Sequence, residues 1–315
     1  MSAQEFFALF LDKVKKVRPS VPCLALATYV LLLLSRLLDT SLLDRSNEYL
    51  NVVLLQILIF ILPAAIFYRI RGNNYVKKLK LRAFHPKCIV LIAACVGALV
   101  CGSILIEGIL GSTSSSTSFS LYDTFISKND GSAGNVIYLI LAYAALPAFS
   151  EEIIFRGVVC SEYENKGFFC CAAVSSFMFA ILHFNVAKFP VYLFAGFVLS
   201  WVLYISRSLF CTVIVHFFYN IAGIFIIPYI SAFYSTTGAA ELFTFIVIAL
   251  FLIFAVIFCS VTASIYKSLA KTAATPEFST EPRLRDSALD AAAVILSPVS
   301  LFSIVLFILT AVFTN

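Results

Sequence analysis

The chain has 315 residues, of which 61% are hydrophobic and 12% charged, with a formal net charge of +5 at neutral pH. An ordinary soluble domain is about 45–50% apolar and about 25% charged, so a soluble globular enzyme is excluded, and a basic excess this small does not imply a nucleic-acid partner. Nine cysteines stand mostly inside apolar runs, with no CxxC pair and an odd count, and read as small membrane-interior residues rather than a disulfide framework or zinc site.

Apolar runs of about 17 residues or more recur along the chain, each near the length that crosses a hydrocarbon layer. Residues 1–20 come first: Phe6, Phe7, Phe10, Leu11 and Val14 recur at helical spacing against a Lys/Asp face, the pattern of a short interfacial helix. Spans are then predicted over 21–38, 50–68, 88–110, 135–160, 169–187, 190–206, 209–230, 241–263 and 291–313. No small-x-small cleavage site follows the first run, which therefore reads as a retained helix. The predicted fold class is all-α, a polytopic integral membrane protein of eight to nine transmembrane helices with an intramembrane catalytic cavity.

The connections divide by charge. With the N-terminus inside, the outer segments hold only Arg36, Arg45, Lys128 and Lys188, and every other Lys and Arg falls on the inner side. This asymmetry predicts a multi-pass protein of the cell membrane with a cytoplasmic N-terminus. The inner loop from Arg69 to Lys87 carries seven basic residues, a surface for anionic lipid headgroups. GSTSSSTS in the outer loop 111–134 reads as a flexible linker, and 267–290 as a polar inner linker. Four regions follow: an N-terminal segment 1–20, N-terminal helices 21–134, a core 135–230, and C-terminal helices 231–315. There is no internal repeat or inverted hydropathy symmetry of the transporter kind.

Against this background the charged residues at depth stand out. In LPAFSEEIIFRG, Glu151, Glu152 and Arg156 would together cost roughly 8–10 kcal/mol if unpaired at mid-bilayer. Glu152 and Arg156 are four apart and can pair on one helix face, which leaves Glu151 over. A carboxylate without a cation, beside a second carboxylate in a low-dielectric setting, suits general acid/base work near neutral pH. The bland alternative is an interfacial charge cluster at the end of a span. Of three histidines, two lie in apolar runs, each with a partner four residues away: His183 with Phe179, and His216 with Asn220. Together these groups supply a base, a water-orienting group and donors for an oxyanion, which is what peptide hydrolysis requires. Ser150, Ser175, Ser176 and Cys160 have no His partner in sequence and read as packing residues. No cofactor is favoured; the alternative is a divalent metal, zinc, held by Glu151, His183 and His216, although HExxH is absent. Pro147 removes a helix hydrogen bond four residues before Glu151 and should kink the span, as backbone lining a cavity can tolerate.

The ordered set EExxxR (Glu151 to Arg156), FxxxH (Phe179 to His183) and HxxxN (His216 to Asn220) resembles the CPBP family of intramembrane proteases. That family includes CAAX prenyl endopeptidases and Abi-type bacterial proteins linked to bacteriocin processing and self-immunity. The resemblance covers roughly residues 135–230. It implies that Glu151 is the general base that activates water and that His183 binds and orients that water. It further implies that His216 and Asn220 stabilise the oxyanion, and that Glu152 with Arg156 holds Glu151 in place. The implied activity is a glutamate-dependent endopeptidase acting on a membrane-associated peptide or protein, in a family long treated as metalloproteases. Two other functions compete: a non-proteolytic immunity or scaffold protein, and a proton-coupled transporter. One geometric demand follows from the spans: Glu151 and His183 can meet only if the fourth helix continues inward past Arg156, to about Tyr163.

Overall fold

The computed structural model describes residues 3–18, 20–37, 48–72, 78–110, 121–226, 240–272 and 282–314. Among these the regular structure is helical throughout. Helix α1 spans Ala3–Lys15 and α2 Ser20–Leu37; α3 runs over 48–71, α4 over Cys88–Ile109 and α5 over Leu121–Lys128. Helix α6 is the long span Ala133–Lys166, followed by α7 (Phe168–Ile181), α8 (Phe189–Ser206) and α9 (Leu209–Phe225). The chain continues with α10 (Ala240–Thr272), α11 (Leu284–Ile295) and α12 (Pro298–Thr314). The expected linker around GSTSSSTS falls on residues 111–120, outside the described residues.

Five helices among the described residues are long and apolar enough to cross a membrane, or up to seven if each of two bent pairs is one span. The chain is thus a polytopic helical membrane protein. The sequence expectation of eight to nine spans counted α7 and α9 as well; at 14 and 17 residues they are apolar but short, roughly 21 and 25 Å long against a hydrocarbon core of about 30 Å. The ninth predicted span, 291–313, is interrupted: α11 and α12 meet at a 62° bend at Leu296–Ser297, so its first residues belong to a helix of different direction. The polar stretch 267–290 is itself helical at both ends, in α10 and α11.

Two proline-bearing spans share a device. In α3 a π turn over Ile57–Ile61 precedes Pro63, and in α6 a π turn over Leu141–Ala145 precedes Pro147. Proline cannot donate to the carbonyl four residues back and its ring crowds it, so the preceding turn widens to i→i−5 bonding, as Leu146 N–H to Leu141 O shows. The helix carries on past Pro147 as part of one span, Ala133–Lys166. A second π turn, Ile153–Val159, contains Arg156, and α6 then runs on through Tyr163 to Lys166. This is the extension past Arg156 to Tyr163 that the sequence demanded.

Helices α7 and α8 pack as a close antiparallel pair, with α11 against α7, α12 against α2, and α10 along α4. Small residues set these approaches: a methyl on Gly196 of α8 would sit 2.7 Å from Ser176 Cα of α7, and one on Gly97 of α4 would sit 2.6 Å from the Phe254 ring of α10. Helix α10 otherwise turns Phe245, Leu252 and Val256 outward, as a lipid-facing helix should.

One end of the bundle gathers the polar contacts. Arg71 donates to Glu162 Oε1 at 2.7 Å and Ser20 Oγ at 2.8 Å; Lys80 and Arg207 both reach Glu164 Oε1, at 2.6 and 2.9 Å. Arg82 Nε donates to Arg207 O at 2.7 Å, and Asp290 of α11 takes Lys13 of α1 at 2.7 Å and Lys166 at 3.3 Å. The loop predicted to face lipid therefore spends Arg71 and Lys80 on clasping the end of α6, and Arg82 on the Arg207 carbonyl after α8.

Replacing Gly196 with Ala forces the new methyl against Ser176 backbone and should cost about 1–3 kcal/mol. The check is the midpoint of thermal unfolding in detergent: Gly196→Ala lowers it, whereas Gly108→Ala, where nothing lies within 4 Å, does not.

Candidate active site

The site is built on α6 where an α turn gives way to a π turn. Glu151 and Glu152 close the α segment Leu146–Glu152, and Arg156 lies in the π segment that follows. Arg156 is 1% exposed and Glu152 fully buried, so a cation and an anion stand in the interior and must satisfy each other. They do so at 2.8 Å between Nη1 and Glu152 Oε1. The remaining terminal nitrogen of Arg156 donates to Gly196 O at 3.0 Å. The guanidinium carbon lies 4.8 Å from the centre of the Phe179 ring, within cation–π range.

Phe179 therefore does more than precede a histidine. Its ring lies against Arg156, its edge meets Phe155 at 5.3 Å, and its carbonyl lies 2.9 Å from His183 Nδ1. A carbonyl oxygen only accepts, so His183 carries its proton on Nδ1 and presents Nε2 as an acceptor. The His183 ring is stacked on Tyr192 of α8 at 3.8 Å and 20°. His183 follows the last turn of α7, where Phe184, at φ +52°, redirects the chain with its side chain buried against Tyr29 of α2.

His216 of α9 approaches from the other side. Its Nδ1 lies 2.9 Å from Glu152 Oε1, and its Nε2 lies 4.0 Å from Glu151 Oε2. The imidazole thus hydrogen-bonds one carboxylate and faces the other. With 14% of its side chain exposed, Glu151 is the member of the pair that is open to a reactant, whereas Glu152 is closed off. Asn220, one turn further along α9, gives Nδ2 to Ala144 O at 3.3 Å, at the first π turn of α6. The second amide hydrogen of Asn220 is not committed by this bond.

The structure therefore brings Glu151, Glu152, Arg156, Phe179 and His216 into one cluster. His183 is tied to it through Phe179, and Asn220 is tied to the same helix higher up. The pairing of Glu152 with Arg156 follows the sequence spacing; the capture of the same carboxylate by His216 does not, because 64 residues separate them. Among the described residues no three His, Cys, Asp or Glu side chains are grouped so as to hold a metal ion, so Glu151, His183 and His216 do not form a ready ligand set. The candidate hydroxyls serve backbone: Ser175 donates to Phe155 O and Ser176 to Ala172 O, while Cys160 Sγ faces Ser200 Oγ at 4.0 Å.

Three contributors were not singled out from the sequence. Gly196 offers only a carbonyl, and Tyr192 only a ring face, so neither has a local signature. Gln56 of α3, whose Oε1 accepts from Ser150 Oγ at 3.2 Å beside Glu151, is a polar side chain inside a predicted span. The criterion applied to charges at depth, extended to amides, would have found it.

Comparison with known proteins bears on the same stretch. Residues 133–222 match the family model for the Type II CAAX prenyl endopeptidase Rce1-like proteins. No curated protein and no solved structure matches the chain. Residues 133–222, which contain every member of the cluster from Glu151 to Asn220, are thus the part of this membrane protein that is similar to Rce1-like proteins of the CPBP family, the family its three motifs resemble.

Proposed function

We propose that the chain is an intramembrane endopeptidase that hydrolyses a peptide bond of a membrane-associated peptide or protein, using water activated by Glu151. The observation that carries the reading is the unbroken series Arg156, Glu152, His216, Glu151, in which a cation and an anion alternate with an imidazole and a second carboxylate. Arg156 and Glu152 cancel. Glu151 and His216 then share one proton for the cluster to stay neutral in a low-dielectric interior. With that proton on His216, Glu151 is an ionised base and His216 holds an N–H on each side, one toward Glu152 and one toward the reactants. A single protonation state thus supplies both base and oxyanion donor.

The reaction follows from these groups. Glu151 takes a proton from water, whose second contact is His183 Nε2, and the hydroxide oxygen adds to the scissile carbonyl carbon. The carbonyl electron pair moves onto oxygen, which accepts from His216 Nε2–H and from Asn220 Nδ2–H. As the tetrahedral intermediate collapses, the C–N bond breaks and the proton held by Glu151 goes to the leaving amine. No metal enters a step. Glu152, Arg156 and Phe179 position the reacting groups without touching substrate. The family description points to a lipid-modified C-terminal peptide as the substrate class to test first. The charge asymmetry of the connections supports a cytoplasmic N-terminus, on the side of the bundle that gathers the basic residues.

The test is cleavage in proteoliposomes of two probes, a farnesylated C-terminal CAAX peptide and an unmodified membrane peptide. Glu151→Gln should lower kcat by roughly 10²–10⁴-fold on whichever probe is cut. If Glu151→Gln, His183→Ala and His216→Ala all cleave at the wild-type rate, the reading is lost. Glu152→Gln keeps the shape but removes the charge that opposes His216; kcat should fall at least tenfold with little change in KM. Preincubation with a chelator should leave the wild-type rate unchanged; loss with recovery on zinc addition would overturn the metal-free mechanism.

A further inference from the structure

A second polar feature lies outside the catalytic cluster. Helices α1 and α11 lie side by side, fastened by Lys13 to Asp290 at 2.7 Å. Neither continues the direction of the helix that follows it: α1 turns by 69° into α2, and α11 by 62° into α12. A helix set across the span direction at the end of a bundle lies along the membrane surface rather than through it.

The residues these two helices expose suit that position. On α1 and just after it, Phe7 is 60% exposed and Leu11 41%, and Lys15, Lys16 and Arg18 are exposed as well. On α11, Leu284 is 68% exposed between the exposed Arg283 and Arg285. The acidic residues nearby are Glu5 and Asp12, both exposed, and the half-buried Asp286 and Asp290. Asp12 pairs with Lys16 and Asp290 with Lys13 and Lys166, and the exposed Lys15, Arg18, Arg283 and Arg285 outnumber Glu5 and Asp286, so the outward charge is basic. Exposed aromatic and aliphatic side chains interleaved with Lys and Arg are what an anionic leaflet selects: the apolar groups enter the acyl boundary and the cations meet phosphates.

We infer that α1 and the first turn of α11 form an interfacial foot that rests on an anionic phospholipid leaflet. This adds a second lipid contact to the one expected of the Arg69 to Lys87 loop, whose Arg71, Lys80 and Arg82 are occupied within the protein. The foot also bears on the core. Ser287 of α11 accepts from the Cys170 backbone N–H at the start of α7, and Lys166 ends α6 on Asp290. The leaflet thereby holds the ends of the two helices that carry Glu151 and Phe179.

The experiment uses the full chain reconstituted in vesicles, with Phe7→Trp and Leu284→Trp read separately against wild type, whose only tryptophan is Trp201. Phospholipids brominated near the headgroup end of the acyl chain should quench the added emission, roughly twofold more in phosphatidylglycerol than in phosphatidylcholine. Combining Lys15→Gln, Arg18→Gln and Arg283→Gln should erase that headgroup difference while thermal unfolding in detergent is unchanged. Absence of quenching at either position overturns the interfacial placement. Equal quenching in both lipids overturns the anionic preference. Quenching that appears only as protein is diluted in the bilayer shows a second copy covering the face, and also overturns the proposal.

Discussion

A guanidinium with 1% exposure in the middle of an apolar bundle is the constraint on which the surrounding geometry depends. Arg156 cannot shed its charge, and its two terminal nitrogens find acceptors locally while the buried Nε has none among the described residues. Glu152 answers one, the Gly196 carbonyl another, and the Phe179 ring covers a face. Each answer fixes a helix. Gly196 can supply its carbonyl only because α8 lies against Ser176 of α7 at a distance that no larger residue allows. Phe179 brings its own backbone carbonyl, and that carbonyl sets the tautomer of His183. Removing one partner of such a buried pair costs about 3–5 kcal/mol, because the other charge is stranded.

The same pair organises the chemistry. Glu152, held by Arg156, has a second contact for His216, and His216 in turn reaches toward Glu151. The half-open carboxylate is thus coupled to a closed one through an imidazole, and the division of labour follows burial rather than residue type. Two glutamates adjacent in sequence differ because one is fully buried and the other keeps 14% of its side chain exposed. The Rce1-like match over residues 133–222 falls on this arrangement.

Much of the architecture was legible in the residues themselves. Long apolar runs located α3, α4, α6, α8 and α10, since crossing hydrocarbon leaves few alternatives to a helix of about 20 residues. The pairing of Glu152 with Arg156 followed from i,i+4 spacing, and the need for α6 to reach Tyr163 followed from rise per residue. What was not legible depends on contacts between distant segments. His216 bonding Glu152, Gly196 capping Arg156 and Tyr192 stacking on His183 are tertiary choices that no local pattern encodes. The bend at Leu296–Ser297 hid inside a run that is apolar on both sides of it, because hydropathy records burial in lipid and not direction.

The π turns of α6 carry a consequence for comparing this chain with its relatives. A turn closed by an i→i−5 bond holds one residue more than its α counterpart, so each one resets the azimuth of everything beyond it by about 100°. Between Ala133 and Lys166 this occurs twice, once before the glutamates and once after them. A homologue that lacks the extra residue in 141–145 or 153–159 would close that turn with i→i−4 bonds and still aim its later side chains the same way. Alignment gaps inside this helix therefore belong at those two turns, where gain or loss of one residue is absorbed locally and Glu151, Glu152 and Arg156 keep their aim.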